Sequence, residues 1–566
     1  MPQDAYTLRY IAKELNTILL GGKVNKIIQP SRDEINLIIY AGGKTHKLLM
    51  NTNASFARVG ISSASRTAPT VAPNFCMLLR KHLSGATLIK VEQIEFERII
   101  AFTFDCVGEF SRSERVLYAE IMGKYSNLIL CENGIISGAL KISSLQESFK
   151  RTLFPGAKYL FPQPQDKVLI SDENALISLL NGFLGGDIAR FLFERVSGIS
   201  YATARLICQN YRLTDNATPF TKESAKLFAK FIQEFIFSNQ TRPAILSSGS
   251  EYLDFYAVYD GGIPFNSVLS AQDAFYTQKE TAREFGDKKR KLDSLLQSRR
   301  KKEEKKLALI LERERECNNI EINKIYGELI TANIYALKKG MEFCQLLNYY
   351  DENCPTVKIT LDKTLTPAQN AQRYFKKYNK QKRTLLALAP QKAETESELQ
   401  YINSMISSIF RAENLLDLIE IEEELKDYGL IKVENTKKKI VKTSPFRTFV
   451  YQSFTIYAGR NNIQNDRLLK NSSPDDLWLH TQKYHSSHVI IKTDKKSVPD
   501  EVKLFAAELC AYFSDGKDGD KIPVDICERK FVKKPSKAKA GFVIYTDYTT
   551  LLVTPKRHAQ FELENS

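Results

Sequence analysis

No two of the nine cysteines stand as a C-x-x-C pair. They are scattered at positions 76, 106, 131, 208, 317, 344, 354, 510 and 527, so neither a zinc ribbon nor a disulfide framework is indicated, and the thiols read as reduced and mostly buried. Long apolar runs are missing too. The opening text MPQDAYTLRYIAKEL has no apolar stretch of signal-peptide length, and nowhere do the ~20 apolar residues of a membrane span occur together. A cytoplasmic protein with no membrane partner is the expectation. Acidic residues are in deficit: 66 Asp and Glu stand against 81 Lys and Arg, a formal charge of +15. That excess favours a polyanionic partner without choosing among RNA, DNA and anionic lipid.

The 566 residues, 43% of them hydrophobic, suffice for several packed domains, about three to five by length. Residues 1–170 alternate short apolar runs with turn residues (KVNKIIQP, EINLIIYAGG, TLIKVEQIEFERIIAFTFD, SNLILCENGIISGAL). Branched and aromatic residues at period two predict a strand-rich α+β domain. The opening helix and NFCMLLRKHL are the exceptions; the latter carries a helical stripe of Phe75, Leu78, Leu79 and Leu83, with Arg80, Lys81 and His82 largely off it. Pro155, Pro162 and Pro164 close the domain.

Residues 171–271 read as mainly helical, with a helix-turn-helix at RFLFERVSGISYATARLICQNY hinged on Gly198. The amides at 199–202 would open its second helix and form a phosphate site, or the turn simply packs two helices. Across 272–430 the charge density rises. Ile322, Ile325, Leu329, Ala332 and Ala336 form one seam and Leu399, Ile402, Ile406 and Ile409 another, separated by the Pro-containing ENCPTVKITLDKTLTPAQNAQRYFKKYNKQK. Two such helices predict an antiparallel coiled-coil arm with the middle piece as its tip, about 50 to 60 residues per limb and ~80 Å long. The basic runs at 288–291 and 299–302 are either a solvated helix face or RNA contacts. After the charged KVENTKKKIVKTSP, residues 440–560 return to strands around one helix at 500–514 and contain the sole tryptophan, Trp478.

Some words are specific. IYAGRNNIQNDRLL (456–469), DDLWLHTQKYHSSHVIIK (475–492) and FVKKPSKAKAGFVIYT (531–546) closely resemble the signatures of the NFACT-R RNA-binding module. NFCMLLRKHLSGA, AEIMGKYSNLIL and RTLFPGAKYLFPQPQ resemble an NFACT-N domain, GIS at 198–200 a helix-hairpin-helix segment, and TPAQNAQRYFKKYNKQK the middle of the coiled coil. The resemblance is to the NFACT family, which contains bacterial RqcH and eukaryotic NEMF and was earlier labelled fibronectin-binding protein A-like. Because the text stops soon after the last signature, the bacterial type is expected. The implied fold is multidomain α+β: NFACT-N at 1–170, a helix-hairpin-helix domain at 171–271, the arm at 272–430 and NFACT-R at 440–560.

The resemblance implies a non-enzymatic quality-control factor. It would bind a stalled large ribosomal subunit carrying peptidyl-tRNA, recruit alanyl-tRNA, and support template-free alanine tailing of the nascent chain for proteolysis. No catalytic triad, metal or cofactor is then needed. The family's acidic-Arg pair for tRNA falls on Glu97 and Arg98, with Glu97 where Asp is usual; without the family, such a dipeptide is an ordinary surface pair. An arginine fork can pair with phosphate or a guanine edge and can stack on a base. A second carried-over cluster is Glu120, Ile121 and Met122, followed by Gly123, which permits close backbone approach, and by the phosphate donor Lys124.

Further RNA candidates are Arg80, Lys81 and Gly198, then Arg460, Asn461, Asn462, Trp478, His480, His488, Lys533, Lys534 and Lys537 in the C-terminal module. They supply cations, amides and stacking surfaces suited to irregular RNA. Trp478 is alternatively a core anchor. The histidines at 480, 485 and 488 lie in strand-like text without a nearby cysteine, so no metal is assigned.

Two other functions compete. A processed Pro2 would be the Schiff-base nucleophile of a formamidopyrimidine-type DNA glycosylase/lyase, but Gln3 stands where those enzymes carry a Glu acid, and paired cysteines are missing. A fibronectin-binding adhesin requires export, for which the text shows no signal.

Overall fold

The computed structural model describes residues 3–64, 66, 68–107, 112–142, 151–163, 166–214, 216–431, 444–536 and 538–563. Pro2, Pro164, Lys537 and most of the 432–445 linker lie outside them. The chain is multidomain and mixed α/β, and it divides into two compact units, Met1–Ala282 and Arg283–Ser566.

In the first unit nine strands form one antiparallel sheet. They are β1 (Lys23–Ser31), β2 (Glu34–Ala41), β3 (Lys44–Asn51), β4 (Arg58–Ile61), β5 (Thr87–Gln93), β6 (Ile99–Val107), β7 (Arg112–Glu120), β8 (Asn127–Glu132) and β9 (Ile135–Ala139), ordered β4-β3-β2-β1-β5-β6-β7-β8-β9. Helix α1 (Ala5–Leu19) buries Leu8, Ile11, Leu15 and Leu19 in the same core as Ile35, Leu37 and Phe102 of the sheet. Helix α2 (Asn74–Leu83) buries Phe75, Leu79 and Leu83, with Arg80, Lys81 and His82 in its last turn, where cations suit the helix dipole.

Helices α3 (Glu173–Asn181), α4 (Ile188–Arg195), α5 (Tyr201–Asn210) and α6 (Lys222–Phe237) follow. The expectation of a mainly helical segment to residue 271 needs correction. Ala244–Ser248, Glu251–Tyr256 and Ile263–Pro264 form a three-stranded sheet. Branched and aromatic residues such as Ile245, Tyr252, Phe255 and Tyr256 are concentrated there, and they suit strands and their cross-strand pairs.

Helix α7 (Val268–Glu316) begins in this unit. Its first amides, on Val268 and Leu269, donate to the Glu14 carboxylate at 2.9 and 3.0 Å, which satisfies donors that a helix start leaves open. Arg58 forks onto Glu280 at 2.6 and 2.9 Å, and Arg66 bridges Glu280 to the fully buried Glu34.

In the second unit α7 runs antiparallel to α9 (Pro367–Arg411). Lys392 pairs with Glu314 at 2.8 Å, while Leu292 and Leu296 pack with Ile402, Met405 and Ile409 of α9 and with Leu418 and Ile421 of α10 (Leu415–Asp427). Two expectations shift here. The stripe at 322–336 is not a long seam: α8 (Ile320–Ala332) ends at Ala332, and Ile322, Ala332 and Ala336 are exposed. Leu329 and Ile330 instead pack on Cys344 and Ile359 of a hairpin, Phe343–Leu347 with Thr356–Thr360. Pro367 starts α9 rather than interrupting it, because Thr366 and Gln369 form a capping box around a proline whose missing N–H costs nothing in the first turn.

The rest of this unit is a six-stranded sheet, Arg447–Tyr451, Phe454–Ala458, Val489–Ile491, Leu477–Thr481, Ile522–Glu528 and Thr549–Val553 in spatial order. Helix α12 (Asp500–Tyr512) covers it. A second helix, α11 (Asn462–Asn471), stands where only strand text was expected, capped by Asn461, whose side chain accepts from the Gln464 amide at 2.9 Å.

Leu296 is fully buried between α7, α9 and α10. Leu296→Ala should therefore lower unfolding stability by about 2–5 kcal/mol, whereas Leu309→Ala, at a position 59% exposed, should stay within about 0.5 kcal/mol. Urea titration followed by the fluorescence of Trp478 measures both, and equal losses would deny that this contact organises the helices.

Candidate nucleic-acid interface

The two candidate clusters of the first unit meet at one end of the large sheet. Ile99 of β6 pairs with Glu120 of β7, and the Ile121 amide donates to the Arg98 carbonyl at 2.8 Å, which carries the ladder one step past both strands. The Arg98 turn is closed by Ile94 N–H donating to Ile99 O at 3.0 Å. Gln93 Nε2 donates to the carbonyls of Glu97 and Ala5, both at 2.8 Å. Opposite it, Gly123 takes a φ of 60°, and Ser126 Oγ accepts from the Met122 amide at 2.8 Å. Lys124 and Tyr125 are exposed on that turn, the ammonium 4.9 Å from the ring centroid.

Glu97 and Arg98 are half-buried, and Ser197 Oγ donates to Glu97 Oε1 at 3.4 Å. The segment before α3 joins them: Val168 N–H donates to Arg195 O at 2.8 Å, and Ser197 N–H to Val168 O at 2.9 Å. Burial first, and then the charge of Arg98, hold the neighbouring Lys167 ammonium below its ordinary pKa. Two cations thus share this end of the sheet, as an anionic ligand requires.

Several candidates have other places. Glu120 is 1% exposed; it accepts from Arg151 Nη1 at 2.9 Å and Tyr159 OH at 2.8 Å, and so anchors the 151–159 segment. Ile121 lies in the core and Met122 is half-buried. The phosphate site expected at the start of α5 is occupied from within. Asp4 Oδ2 accepts from Ser200 N–H at 2.8 Å and Thr203 Oγ1 at 2.6 Å, and Ser200 Oγ takes the Thr203 amide at 3.2 Å. Gly198, at φ +81°, faces Phe96: a Cβ there would lie 2.5 Å from the ring and 2.8 Å from the Phe96 carbonyl oxygen. Its role is to seat the residue just before Glu97. Arg80 donates through Nε to Ile27 O at 2.9 Å, while Lys81 is exposed.

In the C-terminal module, Arg460, Asn461 and Asn462 do not face solvent as RNA contacts would. Glu413, Asp417, Glu420 and Glu424 follow at spacings of four, three and four, which aligns them on one side of the α10 region. Arg460 Nη1 donates to Glu413 at 2.9 Å and lies 3.6 Å from Asp417. Asn461 Nδ2 and Gln464 Nε2 donate to Glu420 at 2.6 and 2.9 Å, joined by the Ser444 amide at 2.9 Å. Glu424 receives Tyr401 OH at 3.0 Å and Asn462 Nδ2 at 3.3 Å. Burial pushes its carboxyl up to about 7.

Trp478 is fully buried, its ring stacked on His480 at 5.6 Å and edge-on to His488 at 5.3 Å. Burial lowers His480 to about 4 and His488 well below its ordinary value, so at neutral pH these imidazoles supply no cation. Lys534 pairs with Asp466. Lys533 is exposed on the small ribbon Val532–Lys533 with Ile544–Tyr545, where Ile544 is also open.

A family model of the NFACT N-terminal and middle domains matches residues 4–444, and one of the NFACT protein RNA binding domain matches residues 445–544. The chain belongs to the NFACT family. It is 35% identical to the Rqc2 homolog RqcH of Bacillus subtilis (strain 168) over 98% of each chain, and 32% identical to the Rqc2 homolog RqcH of Streptococcus suis (strain 05ZYH33), again over 98% of each. Among solved structures, the N-terminal part of the fibronectin/fibrinogen-binding protein of Streptococcus suis covers 49% of this chain and 99% of that one, at 27% identity and a TM-score of 0.41. Residues 445–544 are thus the family's RNA-binding domain.

Sequence reasoning passed over Tyr125 and Lys167. The signal for the first was an aromatic directly after Gly-Lys in a turn; Lys167 had none, because its neighbour in space, Arg98, lies about seventy positions away in the chain.

Gly198→Ala should destabilise the first unit by more than the roughly 1–2 kcal/mol of a left-handed non-glycine residue. Gly249→Ala, at φ +57° with open space around its Cβ, should cost only that backbone strain. Calorimetric melting separates the two, and equal costs would remove Phe96 from the account. Glu424→Gln tests the buried carboxyl. An unfolded Glu ionises at its ordinary value near 4.5 and the folded one near 7, so the folded state holds the extra proton between those values. Stability contributed by this group therefore falls as pH rises across that window and stays low above it. Glutamine escapes the penalty. The Tm of Glu424→Gln minus that of the parent should rise from pH 5 to pH 8; parallel profiles would refute the shift.

Proposed function

We propose that the protein is a ribosome-associated quality-control factor of the cytoplasm. It binds large ribosomal subunits that still carry peptidyl-tRNA, recruits alanyl-tRNA, and supports template-free addition of C-terminal alanines that mark the nascent chain for degradation. The observation that carries this reading is similarity to Rqc2 homologs named RqcH along 98% of both chains. The +15 charge suits an RNA partner. In addition, no helix among the described residues is long and apolar enough to cross a membrane.

In this scheme the protein is not an enzyme: the ribosome makes the peptide bonds, and the protein positions RNA. Arg98 makes the decisive tRNA contact through its fork, and the carboxylate of the preceding Glu97 accepts from Ser197 Oγ. Lys124 and Lys167 add phosphate attraction around it, while the long antiparallel helices dock on the subunit. Because docking is spread over many contacts and tRNA capture is concentrated, the two are separable.

Arg98→Ala should lose tRNA affinity by about 5- to 150-fold, the worth of one bidentate contact, with subunit association nearly intact. Arg98→Lys should fail almost as badly, since a point charge cannot reproduce the fork. Glu97→Asp should be tolerated. Bound tRNA and tail length on purified stalled subunits are the readouts: normal tails from Arg98→Ala would sink the assignment, and joint loss of subunit binding would make Arg98 a docking or folding residue.

A further inference from the structure

Two lysines of the C-terminal domain end on carboxylates that come from far along the chain. Lys534 Nζ pairs with Asp466 of α11, and Lys539 Nζ pairs with Glu398 of α9. Both lysines belong to the stretch that joins the two strands of the small ribbon, Val532–Lys533 and Ile544–Tyr545. Its backbone is held as well: Gly541 N–H donates to Asp466 Oδ1 at 3.0 Å, and Ala540 N–H donates to Tyr428 OH at 2.8 Å. Gly541 takes a φ of +78°, and a Cβ there would lie 2.8 Å from Asn462 Oδ1. Only glycine lets the chain pass so close.

Asp466 therefore receives an ammonium on Oδ2 and a main-chain amide on Oδ1. Lysine ammoniums and backbone amides are also the donors by which proteins hold the phosphates of a nucleic acid, and a carboxylate offers them the same anionic oxygens as a phosphate does. Lys539 is in a similar position, with Glu398 as its anion and its ammonium 4.3 Å from the Tyr401 ring centroid. Neither pair is sealed from water. The side chains of Lys534 and Asp466 are 34% and 16% exposed, and those of Lys539 and Glu398 28% and 31%. Ion pairs so exposed are weak and open to exchange with a stronger anion. Lys533 and Phe542, in the same part of the chain, are exposed and add a cation and a stacking surface.

We propose that Lys534, Lys539 and the Gly541 amide are a phosphate site of the RNA-binding domain, and that Asp466 and Glu398 occupy it as internal counter-ions until RNA displaces them. One phosphate takes the ammonium and the amide over from Asp466, and another takes Lys539 over from Glu398. The carboxylates shape the site in the free protein and set a threshold, because a polyanion replaces both at once and a single small anion does not. The site lies outside the Arg98 assignment and rests on the reading of RNA as the partner.

The test titrates the full chain with a short fluorescent single-stranded RNA. Asp466→Asn and Glu398→Gln keep the side-chain shape and remove the charge, and each should tighten binding by about two- to five-fold. Asp518→Asn makes the same change of charge at an exposed position of the domain and should leave affinity nearly unchanged. Lys534→Gln and Lys539→Gln should weaken binding, and each should reduce the salt dependence by about one phosphate contact. Asp466→Asn combined with Lys534→Gln should lose most of the gain, since the carboxylate acts through that ammonium. Melting curves check folding, and Glu398→Gln, a swap of two good helix formers within α9, keeps the test readable if Asp466→Asn disturbs α11. Weaker binding in both carboxylate variants would overturn the proposal, because the carboxylates would then be braces that set the lysines for use. Tightening no greater than that of Asp518→Asn would also overturn it. Parental affinity and salt dependence in both lysine variants, alongside a loss in Arg98→Ala, would remove this site and leave the proposed function standing. No response in any of these variants, Arg98→Ala included, would overturn the site and count against the Arg98 assignment as well.

Discussion

A carboxylate removed from water must be surrounded by donors or become neutral, and this constraint ties remote parts of the chain together. Asp4 gathers the start of α1 and the start of α5. Glu14 on α1 caps α7, more than 250 positions away. Glu34 and Glu280 share Arg66, Glu120 collects Arg151 and Tyr159, and Glu420 collects Asn461, Gln464 and Ser444. Each of these groups is expensive to leave unpaired, so each sets where a distant segment must lie.

The same constraint places the chemistry. Because Asp4 fills the start of α5, the amides of that helix are satisfied from within the fold. Because Glu120 is committed to Arg151, the turn after β7 presents Lys124 and Tyr125 instead. In the C-terminal module the acidic side of α10 takes Arg460, Asn461 and Asn462, so the RNA-binding domain has to meet RNA with other residues, among which Lys533 is exposed. Within that row Asp417 Oδ1 and Glu424 Oε2 have no hydrogen-bond partner among the described residues, and burial raises the Glu424 carboxyl to about 7.

Much of the fold was legible in particular residues. The alternation in EINLIIYA and the turns at Gly42 and Gly43 announce β2 and β3, since period two and a left-handed glycine turn are local properties of the backbone. The stripe of α2 was equally plain. Helix α11 was overlooked although Asn461 and Gln464 have cap spacing, because Asn-rich text also suits a loop. The stripe at 322–336 looked like one long seam because helical periodicity states which side is apolar and says nothing of what covers it; a local hairpin does so here.

The sequence by itself determined the family, through words that run the length of the chain, and with it the basic character and the two turns that carry Arg98 and Lys124. These depend on residue identity and short-range geometry. Only the tertiary structure decided what surrounds each polar side chain. Arg98 and Arg460 look alike as letters beside acidic or amide neighbours, yet one sits at a half-buried sheet end and the other between Glu413 and Asp417. The carboxylates that take Arg460 lie more than forty positions from it in the chain, and burial is a property of what the fold brings alongside.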